Sequence, residues 1–255
     1  MIQGPTREVG KLDASRWMTR TTPVAQRGAL IRWYGTRMAP RLDEDHPSIV
    51  LVGGFDPRRF QPTWFRQERL LGQTEAEQAE IRIVAPEVAD WSTEWFDMQV
   101  TTNRFLVIAK VESRAESLRD LVVGTFQLLE HTVTTALGLN RAMHYDVGGE
   151  ENWHRIGDAL APKQLWRPHL PKRPGMRTLQ MEETHRGDGL PGKSIVTVQP
   201  SQKYTHGVFF DVNNEIHPRG EASTSFFVEV IRNHWERLLD EAKKMADDVL
   251  QRAGQ

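Results

Sequence analysis

The chain contains no cysteine among its 255 residues. Disulfide bonds, a thiol nucleophile and every zinc site with cysteine ligands are therefore excluded. The chain also has no stretch close to the roughly 18 consecutive apolar residues that span a bilayer, and its first residues lack the apolar core of a signal peptide. We expect a cytoplasmic protein that does not bind membranes.

The motifs of several large enzyme classes are missing as well. The sequence has no GxSxG nucleophile elbow, no HExxH zinc motif and no phosphate-binding loop with its lysine. Gly53 and Gly54 follow a predicted strand, but neither a GxGxxG spacing nor a lysine comes after them, so we predict a turn. These absences weigh against a common hydrolase, zinc protease or ATPase. We expect no cofactor and no metal, and a non-enzymatic function is favoured.

Charge is nearly balanced over the whole chain but is unevenly distributed along it. The net charge is −1, yet residues 1–41 hold eight basic groups against two acidic ones, so this segment carries +6 and the remainder −7. Residues 1–27 are polar without sustained periodicity, which predicts a basic N-terminal arm. Apolar residues 29–34 and 48–52 are predicted strands, separated by a charged turn at residues 41–47.

One pattern occurs twice, namely two apolar strands joined by a polar turn and followed by a long amphipathic helix. The first copy has strands at residues 98–101 and 105–111 and a helix at 116–137, and the second has strands at 195–198 and 204–212 and a helix at 226–250. Apolar residues alternate in the strands and recur every three or four residues in the helices. The pattern predicts an α+β fold of two similar halves, each an antiparallel sheet with a long helix packed on one face.

The positions of proline predict where these two halves meet. Prolines at 162, 168, 171 and 174 forbid regular structure and favour a stiff, extended path. We therefore predict a first half at residues 28–161, a proline-rich basic connector at 162–175, and a second half at 176–255. Shorter elements predicted near the connector are a strand at 141–147 and a helix at 152–160.

The densest group of metal-ligating and acid-base residues lies just before this connector. His144 and Asp146 would share one face of a strand, while Glu150 and His154, four residues apart, would share one face of a helix. Together they form a candidate catalytic or metal-dependent site. HxD and ExxxH spacings also arise by chance in many chains, so a structural role for the four residues is the simpler interpretation.

A second candidate site is the basic run within and beside the connector. It consists of Lys163, Arg167, Lys172, Arg173 and Arg177 around Trp166, without an acidic residue. Such a run could contact a phosphate backbone. Without a recognisable nucleic-acid module it is more simply a solvated, rigid loop.

The order of elements resembles that of a sporadically distributed, uncharacterised family of bacterial proteins. The matching pieces are residues 98–105, the helix predicted to end at Gly138, the strand after it, and residues 207–212 before the last helix. Family members tend to have an Arg-Tyr pair and an asparagine after the central helix, where this chain has His144-Tyr145-Asp146. The resemblance, over residues 28–252, implies the fold and an accessory role in mobile-element or defence-related gene clusters, but no established activity.

Three functions follow in order of preference. The first is a non-enzymatic accessory or regulatory protein that binds another protein, because the framework is well specified and no convincing catalytic set is present. The second is a nucleic-acid-binding module that uses the basic arm and the loop at 163–177. The third is a metal-dependent enzyme at the histidine and carboxylate group. A homodimer formed through edge strands or the last helix stays open.

Overall fold

A computed structural model describes residues 39–172, 174–218, 220 and 223–255. The strands of this part are β1 (Arg41–Gly53), β2 (Glu80–Ala85), β3 (Val88–Ser92), β4 (Phe96–Thr101), β5 (Arg104–Ala109), β6 (Thr134–Asp146), β7 (Leu179–Glu183), β8 (Gly192–Pro200) and β9 (Gly207–Ile216). Its α-helices are α1 (Pro62–Gln67), α2 (Gln73–Glu77), α3 (Ala115–Leu128), α4 (Glu150–Leu160) and α5 (Thr224–Ala253). The predicted arm at 1–27 and the predicted strand at 29–34 lie outside the described residues.

The strands form one nine-stranded sheet in the order β2-β3-β4-β5-β1-β6-β9-β8-β7, and neighbouring strands are antiparallel. The prediction of two similar halves, each with its own sheet and long helix, is therefore wrong. The α+β content is as expected. However, β1 and β6 pair with each other in the middle of the sheet, so the strands on both sides of them belong to one sheet.

The error arose in the first of the two predicted long helices. That helix was expected at residues 116–137, but α3 ends at Leu128 and residues from Thr134 onward form β6. The run Thr132-Val133-Thr134-Thr135 is β-branched throughout, and such side chains favour a strand. Gly138, predicted as the helix cap, lies within β6 opposite Val50. The apolar spacing of Val133 and Leu137 had resembled a helical stripe by coincidence.

The central strand β1 is also longer than the sequence indicated. Residues 41–47, predicted as a charged turn, form its first part and pair with β6 from Arg41 opposite Asp146 onward. On its other side β1 pairs with β5 from Ser48 to Val52. The charges in this part do not prevent strand formation, because Asp45 and Arg141, from neighbouring strands, form a buried ion pair at 2.5 Å.

Helices cover one face of the sheet and create two hydrophobic clusters. α3 and the first part of α5 pack over the β3–β4–β5–β1 side, where Trp91, Phe105 and Trp235 are fully buried. The second part of α5 and α4 pack over β6, β9 and β8, around Tyr145 and Phe210. The predicted helix at 226–250 is thus found as α5, and this one helix contributes to both clusters.

The prolines of the predicted connector lie between α4 and β7. A short 3-10 turn at Lys163–Leu165 is followed by further hydrogen-bonded turns up to Leu170, so this part of the predicted connector is not extended. Across the described residues, no helix combines the length and the apolar character that a membrane crossing requires.

Candidate functional site

A cleft of about 810 Å³ lies between α4, residues 163–172 and 174–176, the end of β8 and the start of β9. Its walls are mixed. Trp153, Ile156, Met176 and Val208 contribute apolar side chains, and other residues of α4 and the connector contribute charged ones. Clefts of this size with an apolar lining and a few polar groups are the usual form of a binding site. The cleft is therefore the candidate functional site.

The apolar lining comes from the amphipathic pattern of α4. Trp153, Ile156 and Leu160 recur at spacings of three and four, which places them on one side of the helix. Ile156 is fully buried, and the Trp153 indole N–H donates a hydrogen bond to the carbonyl oxygen of Gly207 at 3.0 Å. This hydrogen bond anchors the indole ring to the start of β9.

Charged groups at the cleft are partly paired with one another. His154 Nε2 lies 3.5 Å from Glu150 Oε1, and Lys163 Nζ lies 2.6 Å from Asp158 Oδ1. Arg167 also lines the cleft, and it makes no ion pair with any residue that the structure describes. The cleft therefore offers, among the described residues, the Arg167 guanidinium without an ion pair beside apolar side chains.

The connector segment beside the cleft exposes several large apolar side chains. The exposed fractions are 71% for Leu165, 55% for Trp166 and 52% for Leu170. Backbone hydrogen bonds from Trp166 N to Lys163 O and from Leu170 N to Trp166 O hold this segment in successive turns. We call Leu165, Trp166, Arg167 and Leu170 the connector surface.

The structure brings together only part of the predicted catalytic group. Glu150 and His154 lie on α4 and line the cleft, whereas His144 and Asp146 lie on β6. His144 alternates with Met143 and Tyr145, which face α5, so its side chain lies on the opposite face of the sheet. Among the described residues, no group of three histidine or carboxylate side chains is arranged to hold a metal ion.

The predicted nucleic-acid group is likewise divided. Lys163 is engaged by Asp158, Arg167 lines the cleft, and Lys172 and Arg177 are exposed. Arg173 lies outside the described residues.

His144 belongs instead to a polar cluster that sequence analysis did not find. Its Nδ1 lies 2.8 Å from Ser201 Oγ. Nearby, the Glu44 carboxylate accepts hydrogen bonds from Lys203 Nζ, from His46 Nε2 at 3.1 Å and from Tyr204 Oη at 3.4 Å. Burial acts to raise the pKa of Glu44, but the hydrogen bonds from Lys203 and His46 outweigh it and lower that pKa.

This polar cluster has the residue types of a catalytic site, but its histidine is closed to solvent. His144 is only 3% exposed, and the Ser201 hydroxyl accepts hydrogen bonds from the backbone N–H groups of Lys203 and Tyr204. Those contacts hold the turn between β8 and β9 against β1 and β6. The geometry is that of a structural network.

Some residues of the cleft and of the polar cluster were not predicted from the sequence, and they differ in whether a local sequence pattern marks them. Trp153 was accessible to analysis, because its spacing to Ile156 and Leu160 marks the apolar side of α4. Glu44 and Ser201 carry no local signal, because their contacts depend on strand pairing across the sheet.

Comparison of the chain with protein-family models finds no match, and comparison with curated proteins finds none either.

Proposed function

We propose that this protein is a non-enzymatic accessory or regulatory protein that binds another protein through the cleft and the adjoining connector surface. The observation that carries the proposal is the exposure of Leu165, Trp166 and Leu170 within six residues, each more than half exposed, beside a partly apolar cleft. Contiguous exposed apolar side chains mark interaction sites. Tryptophan and arginine are the residues that most often dominate the energy of protein interfaces.

The charges of this surface indicate the chemistry of the partner. Lys163 is neutralised by Asp158, but Arg167, Lys172 and Arg177 make no ion pair with described residues. The connector side of the cleft is therefore basic. A protein segment that carries acidic side chains around one apolar anchor would complement it, with the anchor in the cleft and the carboxylates near Arg167.

A nucleic acid is the competing ligand, and it fits the surface less well. Exposed Leu165 and Leu170 would gain little from nucleotides. Nucleic-acid binding would weaken steeply with salt and disappear when Arg167, Lys172 and Arg173 become alanine.

The test is affinity purification of the tagged full-length protein from its native cells, with and without nuclease, followed by mass spectrometry. We expect a stoichiometric protein partner that survives nuclease. In Trp166→Ala/Arg167→Ala its recovery should fall by roughly tenfold or more, because each of two interface anchors is lost.

The matched control is Leu128→Ala/Arg59→Ala, which also removes one exposed apolar side chain and one exposed arginine, from other parts of the surface. This control should recover the partner as the unaltered protein does. A protein that is always recovered alone, a partner retained by the Trp166→Ala/Arg167→Ala variant, or recovery that nuclease abolishes would each refute the proposal. The last result would establish nucleic acid as the ligand.

A further inference from the structure

The edge strand β2 is exposed and apolar. β2 lies at one end of the sheet and, among described strands, pairs with β3 alone. Ile81 is 58% exposed, Ile83 47% and Val84 36%. An exposed edge strand with aliphatic side chains is a template for pairing with another strand.

Two of the usual protections of an edge strand are missing from β2, which has no proline and no lysine. Its one cation is directed back onto its own sheet. Arg82 Nε donates to Asp90 Oδ1 at 2.5 Å, and Arg82 Nη1 donates to Asp97 Oδ1 at 3.1 Å. The opposite edge, β7, ends in the consecutive acidic residues Glu182 and Glu183. Of these two edge strands, β2 therefore exposes three aliphatic side chains, whereas β7 exposes Met181.

A β-bulge gives β2 an unusual order of faces. Ile81 pairs with Trp91 and Val84 pairs with Ala89, and both of these partners face the helices. Ile81 and Val84 are three residues apart, yet they lie on the same face because the register shifts between Ile81 and Ile83.

The other residues of β2 lie on the opposite face. Ile83 pairs with Asp90, which alternates with Trp91, and Arg82 also reaches Asp90. Glu80 and Ala85, at the two ends of the strand, also lie on this opposite face. The order of faces from residue 80 to residue 85 therefore reads the same in both directions, as a two-fold axis requires.

We propose that β2 pairs antiparallel with β2 of a second copy of this chain, about a two-fold axis between Arg82 and Ile83. Ile81 then lies opposite Val84 of the partner subunit, and the axis repeats that contact. Ile81 and Val84 of the two copies then place four aliphatic side chains on the helix-covered face. Every residue of β2 lies opposite a residue that is on the same face of the sheet. No like charges lie directly opposite each other, because Arg82 lies opposite Ile83 of the partner subunit. Two nine-stranded sheets thus become continuous.

The first test is the oligomeric state, measured by sedimentation velocity over a dilution series of the full-length protein. We expect a dimer, and Val84→Lys should weaken it by roughly a hundredfold, because the two-fold axis places two lysines in each interface. The matched control is Met181→Lys on the other edge strand, where Met181 is 61% exposed. This control should dimerise normally, and circular dichroism of both variants should report an intact fold.

The second test uses the cysteine-free background to check the register. Ile81→Cys and Val84→Cys proteins should form a disulfide-linked dimer when mixed and oxidised, but neither should do so alone. A mixture of Ile81→Cys and Ile83→Cys should stay unlinked, because these positions lie on opposite faces. A monomer at every concentration, a dimer that resists Val84→Lys, or cross-linking without the Ile81–Val84 preference would overturn the proposal. These outcomes are independent of whether the connector surface binds a partner.

Discussion

His144 is held in one protonation state by its surroundings. The Ser201 hydroxyl accepts two backbone hydrogen bonds, from Lys203 and Tyr204, so both of its lone pairs are used. Its own proton is therefore donated to His144 Nδ1, which must be unprotonated. Burial, together with the positive charge of Lys203, lowers the pKa of His144 to about 4.

This lowered pKa predicts a loss of stability in acid. Below the ordinary histidine pKa of 6.5, His144 is protonated in the unfolded chain. In the folded protein it stays neutral until the pH falls to about 4. The free energy of unfolding should therefore fall by roughly 2–3 kcal/mol as pH drops from 6.5 to 4, and the contribution should be complete above 6.5. Urea unfolding, followed by tryptophan fluorescence at a series of pH values, measures the slope.

Two histidine variants assign that slope. His144→Gln should remove this component of the pH dependence, whereas His131→Gln should leave it in place, because the His131 side chain is 97% exposed. An unchanged slope in His144→Gln would show that other groups cause the acid sensitivity.

His144 also shows what local sequence pattern can and cannot predict at a single residue. Its two-residue spacing to Asp146 correctly placed both side chains on one face of a strand. The partner that determines its chemistry, Ser201, is 57 residues away in sequence. Only strand pairing and the β8–β9 turn bring the two together, so no short motif could have identified this pair.

At the scale of elements, the end of β1 depends on close contact between two backbones. Gly53 N–H donates to Asn103 O at 3.1 Å, and Gly54 N–H donates to Val133 O at 2.8 Å. A Cβ atom at Gly53 would overlap the carbonyl oxygen of Val133, whereas a Cβ at Gly54 would meet nothing within 4 Å. The turn predicted at the diglycine is therefore wrong for Gly53, which is the last residue of β1 and pairs with Thr134, whereas Gly54 follows the strand.

The difference predicts an asymmetric pair of variants. Gly53→Ala should lower the free energy of unfolding by about 3 kcal/mol, because the clash is with backbone that cannot rotate away. Gly54→Ala should change it by less than about 0.5 kcal/mol. Equilibrium urea unfolding of both proteins checks the prediction, and equal effects at the two positions would contradict the close approach of β1 to residue 133.

At the scale of the whole molecule, α5 joins the two hydrophobic clusters. Its residues from Phe227 to Leu239 belong to the cluster over β1 and β3–β5, and those from Ala242 to Ala253 belong to the cluster over β6, β8 and β9. The central pairing of β1 with β6 joins the same two regions through the sheet. The described residues accordingly form one compact unit.

This connection predicts that the two sides of the sheet unfold together. Phe105→Ala in the first cluster and Phe210→Ala in the second should each cost about 3–5 kcal/mol, and each should shift a single transition. Tryptophan fluorescence and far-ultraviolet circular dichroism should report the same midpoint. Separate transitions, with Phe210→Ala moving one of them alone, would indicate that the sheet does not couple its two sides.

The sequence by itself determined those elements whose period is unambiguous, such as β4, β5 and α5, and it excluded cysteine chemistry outright. These properties depend on residue type and on neighbours along the chain. Only the tertiary structure decided that β1 and β6 lie in the middle of one sheet, that a bulge reverses the faces of β2, and that Trp153 and Arg167 line one cleft. Strand pairing and helix packing join residues that are distant in sequence, and the energy of those contacts overrode the helical spacing after residue 128.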